Sequence, residues 1–229
     1  MSKKLPKAIR KHPALKPPTV KLLSVNADAK TSKGLDTAGT FTAILYMAPS
    51  TEADQNNPNR VNKKHRDLCP HASPGCKAGC LYRAGRAEFM PSIPKARIRK
   101  TLNYFDNKDL FLLQLRADLA VLDAWASATG YEVVLRLDGT TDIHLAKRFA
   151  RLFPGLQFYD YTKDLKYLLA NKISNLHLTF SRSEINEHEC KIALAAGFGV
   201  AVVWRSKKAI PTEYLGYPVY DGDRDDRRF

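Results

Sequence analysis

The stretch L-Q-F-Y-D-Y-T-K-D-L-K-Y-L-L-A, residues 156–170, decides the fold. Its first six residues are rich in aromatics and read as a strand. Beyond them D-L-K-Y-L-L-A (164–170) carries apolar residues at helical spacing. A strand that turns into a helix within a few residues is one β/α unit, so the rest of the chain is read for more of them.

The rhythm repeats on both sides. Upstream, Y-E-V-V-L-R-L (131–137) reads as a strand and I-H-L-A-K-R-F-A-R-L-F (143–153) as a helix. Downstream, N-L-H-L-T-F (175–180) is a strand, 184–196 a helix, F-G-V-A-V-V-W (198–204) a strand, and Y-P-V-Y (217–220) a last short one. Earlier, F-T-A-I-L-Y-M (41–47) reads as a buried strand, followed by a polar loop over 48–92. Two helical patterns follow at about 93–105 and 108–128. Strands alternating with helices through short links predict an α/β fold with a mostly parallel sheet of about six β/α units. We expect these to form a partial, open TIM-like barrel. A doubly wound sheet is the alternative.

Length and charge bound the rest. The chain has 229 residues, enough for a sizeable core, and a net charge of +14. Seven Lys and Arg fall within the first 21 residues with no acid among them, beside four prolines. Residues 1–22 are therefore expected to be a flexible basic arm suited to a polyanion, and 23–229 a single α/β domain. The longest apolar run, residues 192–204, has thirteen residues. That is short of the roughly 18 a membrane span needs. The N-terminus lacks the apolar core of a secretion signal. The expected location is cytoplasmic.

In either parallel architecture, chemistry gathers at the carboxyl ends of the strands. Those ends are polar here: Asp138-Gly139-Thr140-Thr141-Asp142, Asp160-Tyr161-Thr162-Lys163, Ser181-Arg182-Ser183, Arg205-Ser206-Lys207-Lys208 and the acidic stretch from Asp221. Each Asp, Ser or Thr also suits a helix cap. Asp138, Asp142 and Asp160 are the candidate catalytic carboxylates. Lys163, Arg182 and Arg205 are the candidate cations for an anionic substrate, a nucleotide or nucleic acid.

Three of the four cysteines lie in C-P-H-A-S-P-G-C-K-A-G-C-L-Y, residues 69–82. Cys69, Cys76 and Cys80 are an odd number for disulfides in a cytosolic chain, and clustered thiolates are ligands for zinc or an iron–sulfur centre. Three alone fit a [4Fe–4S] cluster with one iron open to a small molecule. Zinc, the alternative, wants a fourth donor; His71, His65 and Cys190 are the candidates. Cys190 sits in a helical pattern and reads as a packed core thiol, whereas His144 and His188 read as ordinary surface or capping residues.

Two resemblances follow from these motifs. A first strand, a cysteine loop, a helix and further β/α units resemble the layout of radical S-adenosylmethionine enzymes. Cys69, Cys76 and Cys80 are spaced more widely than the usual motif of those enzymes. The resemblance implies that Asp138, Gly139 and Thr140 would hold the cofactor. The stretches A-K-T-S-K-G (29–34), T-A-I-L-Y-M-A-P (42–49), L-C-P-H-A-S-P-G-C-K-A-G-C-L-Y-R-A-G (68–85), R-L-D-G-T-T-D, Y-D-Y-T-K and Y-D-G-D-R-D-D-R-R-F resemble the phage-associated "gene product 88" type family. That implies a phage origin. Three functions are in view: an iron–sulfur, radical-SAM-like phage enzyme acting on a nucleotide or nucleic acid; a zinc-containing barrel that exchanges nucleic-acid bases as transglycosylases do; and a non-enzymatic phage factor that binds a host macromolecule.

Overall fold

A computed structural model of the protein describes residues 17–25, 40–55 and 66–222, with the side chain of Lys207 excepted. Most of the basic arm, the A-K-T-S-K-G stretch, His65 and the acidic residues after Gly222 lie outside them. Six strands form one sheet in the order β1 (Ser24–Val25), β2 (Thr40–Ile44), β3 (Glu132–Arg136), β4 (Gln157–Thr162), β5 (Leu176–Ser181) and β6 (Val200–Ala201). β1 runs antiparallel to β2, and every later pairing is parallel. Sheet neighbours follow chain order without a reversal. A doubly wound sheet needs a switch point where the winding turns back. A barrel wall does not, so this sheet is an open wall with barrel winding. Among the described residues nothing pairs β1 with β6.

The helices α1 (Ser50–Gln55), α2 (Pro74–Ala78), α3 (Ser92–Asp106) and α4 (Lys108–Thr129) fill the long connection from β2 to β3. The later crossovers carry α5 (Leu145–Ala150), α6 (Leu165–Leu169) and α7 (Glu187–Ala195). The long loop expected at 48–92 therefore contains two short helices and two 3-10 turns, Leu81–Arg83 and Gly85–Glu88. The expected strand at 217–220 is corrected. Tyr217–Pro218 pairs with Glu213–Tyr214 in a separate antiparallel hairpin, so among the described residues the parallel run has five strands and no sixth β/α unit. Leu215 and Gly216 both have left-handed backbone, φ 53° and 82°, and two such residues make the tight turn that folds a strand straight back on the one before it.

Strand register explains the layering. Phe41 and Ala43 of β2 align with Val133 and Leu135 of β3, Leu135 with Phe158 of β4, and Phe158 with Leu176 of β5. These residues bury one face of the sheet against Leu115, Leu119 and Leu122 of α4, Phe149 of α5, Leu168 of α6 and Cys190 of α7. Successive strand residues point to opposite sides. The other face consequently carries Thr42, Val134, Arg136, Tyr159, Tyr161, His177 and Thr179. Arg136 lies over the Tyr161 ring at 4.5 Å. Leu22 and Leu23 already belong to the core, and the Leu22 N–H donates to the buried Asp118 carboxylate at 2.6 Å. The chain is thus tied into the domain from Leu22 onward.

Candidate functional site

The carboxyl ends of β3, β4 and β5 meet beneath the cysteine loop. The turn after β3 is built against the end of β2. The Gly139 N–H donates to Leu45 O at 3.1 Å, and Thr140 Oγ1 both accepts from the Met47 N–H and donates to Met47 O. A Cβ on Gly139 would stand 2.5 Å from Ile44 Cγ2 and 2.8 Å from Leu45 O. Backbone at that distance cannot step aside. We expect Gly139→Ala to cost about 1–3 kcal/mol through overpacking, measured by urea denaturation.

Asp138 is buried, and its carboxylate accepts from Thr141 Oγ1 at 2.6 Å, the Ile143 N–H at 3.2 Å and the Leu145 N–H at 2.9 Å. It folds the turn and serves the orphan donors at the start of α5. Burial nevertheless pushes its pKa above the usual carboxylate range. Asp142 accepts from Thr162 Oγ1 and the Lys163 N–H, both at 2.8 Å, and so joins the ends of β3 and β4. Asp160, only 3% exposed, accepts the Asp138 N–H and has Arg136 Nε at 3.7 Å. Burial first, then the charge of Asp138, holds its pKa well above the ordinary value. Asp164 caps α6 by accepting the Tyr167 N–H. The three candidate carboxylates are therefore brought together. Asp138, Gly139 and Thr140 spend their polar groups on the turn itself.

The cysteine loop lies over this floor. Leu68 O accepts the Asp142 N–H at 2.8 Å, and Cys69 Sγ approaches Thr140 O at 3.8 Å. Ser73 caps α2 by accepting the Cys76 N–H. At the far side Glu184, just past β5, accepts from Ser73 Oγ at 2.7 Å and from the Gly75 N–H at 2.8 Å. Arg97 of α3 donates to Tyr82 O and anchors the exit of the loop. The loop is thus stitched to the ends of both β3 and β5.

Cys69, Cys76 and Cys80 are all free and partly exposed on this loop. They stand within electrostatic reach of one another. Cys69 is pushed up to about 12 by burial, then by Asp142, Cys80, Asp67 and Cys76. Burial and then the charge of Cys76 raise Cys80. Among the described residues no group of three or more His, Cys, Asp or Glu side chains stands in an arrangement that could hold a metal ion. The thiols share one loop without being drawn around one point. Cys190 is buried in α7 within the core, away from the loop in sequence and setting, as expected of a packed thiol.

The expected cations divide. Lys163 Nζ donates to Ser181 Oγ at 3.0 Å, which links the ends of β4 and β5. Arg182 Nε donates to Tyr214 Oη at 2.8 Å and lies 3.9 Å from Glu187. The hairpin therefore helps to aim it. Arg205 is exposed on the turn after β6.

The sequence pattern of the gene product 88 family matches residues 21–229, which include every element just described. The chain belongs to that phage gene-product family. No curated protein and no solved structure matches it. Among the described residues no helix is long and apolar enough to cross a membrane.

Sequence reasoning missed three residues of this family member's strand-end cluster, His144, Tyr167 and Glu184. His144, read as an ordinary surface or capping residue, makes no side-chain cap and has a left-handed backbone, φ 61°. Its ring stacks on Tyr167 at 3.8 Å, and Nε2 stands 3.6 Å from both Asp142 Oδ1 and Asp164 Oδ2 without a hydrogen bond. Tyr167 is 6% exposed with an unbonded hydroxyl. Burial and then the nearby aspartates drive its pKa far up. His71, expected as a spare ligand, instead lies 3.5 Å from Asp164. A single sequence gives no sign that two histidines 73 positions apart would flank one carboxylate. Glu184 was legible only as a residue of the following helix, because its partners Ser73 and Gly75 lie more than 100 positions away.

Proposed function

We propose that this chain is a phage iron–sulfur protein that acts in the host cytoplasm. Cys69, Cys76 and Cys80 would hold a [4Fe–4S] cluster at the mouth of a partial barrel. The observation that carries the reading is the placement of the loop: three free thiols sit over the carboxyl ends of β3–β5, where parallel α/β folds put their chemistry. The donors suit such a cluster in kind and number. A single zinc needs four donors around one point, with tetrahedral ligands at about 2.3 Å for sulfur. A cubane takes each thiolate on a different iron and asks for no fourth protein donor, so three thiols on one loop match it in number, and the loop would have to draw them around the cluster on binding.

When bound, the cluster would supply one open iron for a small molecule, with S-adenosylmethionine as the first candidate. The chain's own residues would do the rest. Lys163 and Arg182 would receive the anionic part of a nucleotide or nucleic-acid substrate, with Arg205 and the basic arm extending the contact. Asp160, the strand-end carboxylate least committed to loop hydrogen bonds, would hold or take a proton. Asp138 and Asp142 would keep the floor folded.

Their commitment to loop hydrogen bonds favours one second reading, a non-enzymatic factor whose loop metal is a structural clasp. Purification without oxygen, followed by iron, sulfide and zinc analysis per chain, separates the two. About four irons and four sulfides, with added S-adenosylmethionine perturbing the spectrum, are expected. One zinc with no iron would overturn the cluster and leave the clasp.

A further inference from the structure

We infer that the solvent face of α4 is a homodimer interface, on which a second copy of this chain packs its own α4 antiparallel. The helix has 22 residues, about six turns. Its core side carries Phe111, Leu115, Leu119 and Leu122. The opposite side should be polar in a helix that faces water on that side. It is instead an apolar stripe. Leu110 and Leu113 are 66% and 62% exposed and Val121 45%. Ala117, Ala120 and Ala124 are exposed between and beyond them. Positions 110, 113, 117, 120 and 124 alternate by three and four, the spacing of a seam between paired helices. In a chain of net charge +14 this face is close to neutral, so it is where like-charged copies can approach.

The stripe commits to its occupant through shape and charge. Both leucines lie toward the N-terminal end and the alanines toward the C-terminal end. Parallel pairing would set leucine against leucine and leave alanine facing alanine. A two-fold axis across the helix between Ala117 and Ala120 sets each copy's Leu113 over Ala124 of the other. Large side chains then fill the space left by small ones, as a self-complementary two-fold contact requires. Arg116 and Asp123 edge the stripe on one flank, seven residues apart. Neither has an ion-pair partner in the chain among the described residues. Antiparallel pairing brings Arg116 of one copy beside Asp123 of the other, twice.

Sedimentation velocity of the full chain over a concentration series tests this. A dimer is expected. Leu113→Asp should return it to monomer with an unchanged circular dichroism spectrum, because the residue is exposed. Arg116→Asp and Asp123→Arg should each raise the dimer dissociation constant roughly tenfold, and the double reversal should restore it. A wild-type chain that stays monomeric at about 100 μM, or a double reversal no better than its singles, would overturn the interface.

Discussion

Cys69→Ala is expected to leave the protein folded and without the proposed cluster. Of the loop thiols, Cys69 is the one pinned to the barrel floor, with Sγ against Thr140 O and its N–H held by the Asp67 carboxylate. Alanine keeps both backbone contacts around it: the Cys69 N–H to Asp67, and the Asp142 N–H to Leu68 O. The loop therefore persists while one of three ligands is gone, and iron per chain should fall to near zero. Cys76→Ala and Cys80→Ala should do the same. Cys190→Ala is the contrast. Its thiol is fully buried in α7, so its loss opens a small cavity that costs about 1 kcal/mol, with iron content unchanged. Metal analysis beside thermal melting separates the two kinds of effect. A Cys69→Ala protein that keeps its iron, or a Cys190→Ala protein that loses it, would refute the three-thiol assignment.

The elements were legible where local physics sets them. The two helical patterns expected at 93–105 and 108–128 appear at Ser92–Asp106 and Lys108–Thr129, and four interior strands fall within a few residues of their expected places. Each is written in nearby residues: a β-prone run or a spacing of three and four. The winding was half legible. N-L-H-L-T-F alternates apolar and polar residues, the mark of a sheet with one face away from the helices. A parallel strand covered on both faces, in a doubly wound sheet or a closed barrel, would read as a continuous apolar run, so the alternation marks an open sheet and leaves the order of its strands unread. Y-P-V-Y misled because a β-prone tetrad says nothing of its partner, and the glycine turn before it sends it back as a hairpin. The site was legible in composition and illegible in commitment. Asp138, Asp142 and Asp160 were all visible at strand ends, but the donors that commit them, from its own turn for Asp138 and from the neighbouring strand end for Asp142 and Asp160, are fixed only by the fold. His144 looked ordinary because its distinguishing features, a stacked ring and two flanking carboxylates, exist only in three dimensions.

That difference in commitment predicts opposite outcomes for two neighbouring carboxylates. Asp160→Asn should make the protein more stable at pH 7. The folded-state pKa of Asp160 is raised by burial and by Asp138, whereas its unfolded value is near 4. Its contribution to stability is thus fully present below the unfolded pKa and is lost as pH rises through the folded one. Asparagine carries no charge to lose and still offers an oxygen to the Asp138 N–H. Arg136 is not stranded by the change, since it retains its place over Tyr161. The gain should be about 1–4 kcal/mol at neutral pH and vanish below about pH 4. Asp138→Asn should do the reverse. Its two oxygens face three donors, so an amide nitrogen would meet either Leu145 N–H or the Thr141–Ile143 pair, at a cost of about 1–3 kcal/mol. Denaturant unfolding from pH 4 to pH 8 reads both. If Asp160→Asn loses stability at pH 7, the native carboxylate is ionised and held by Arg136, and the proton-holding role proposed for it falls. If it gains stability and the loaded protein loses its chemistry, Asp160 is a group whose burial serves reactivity at the expense of the fold.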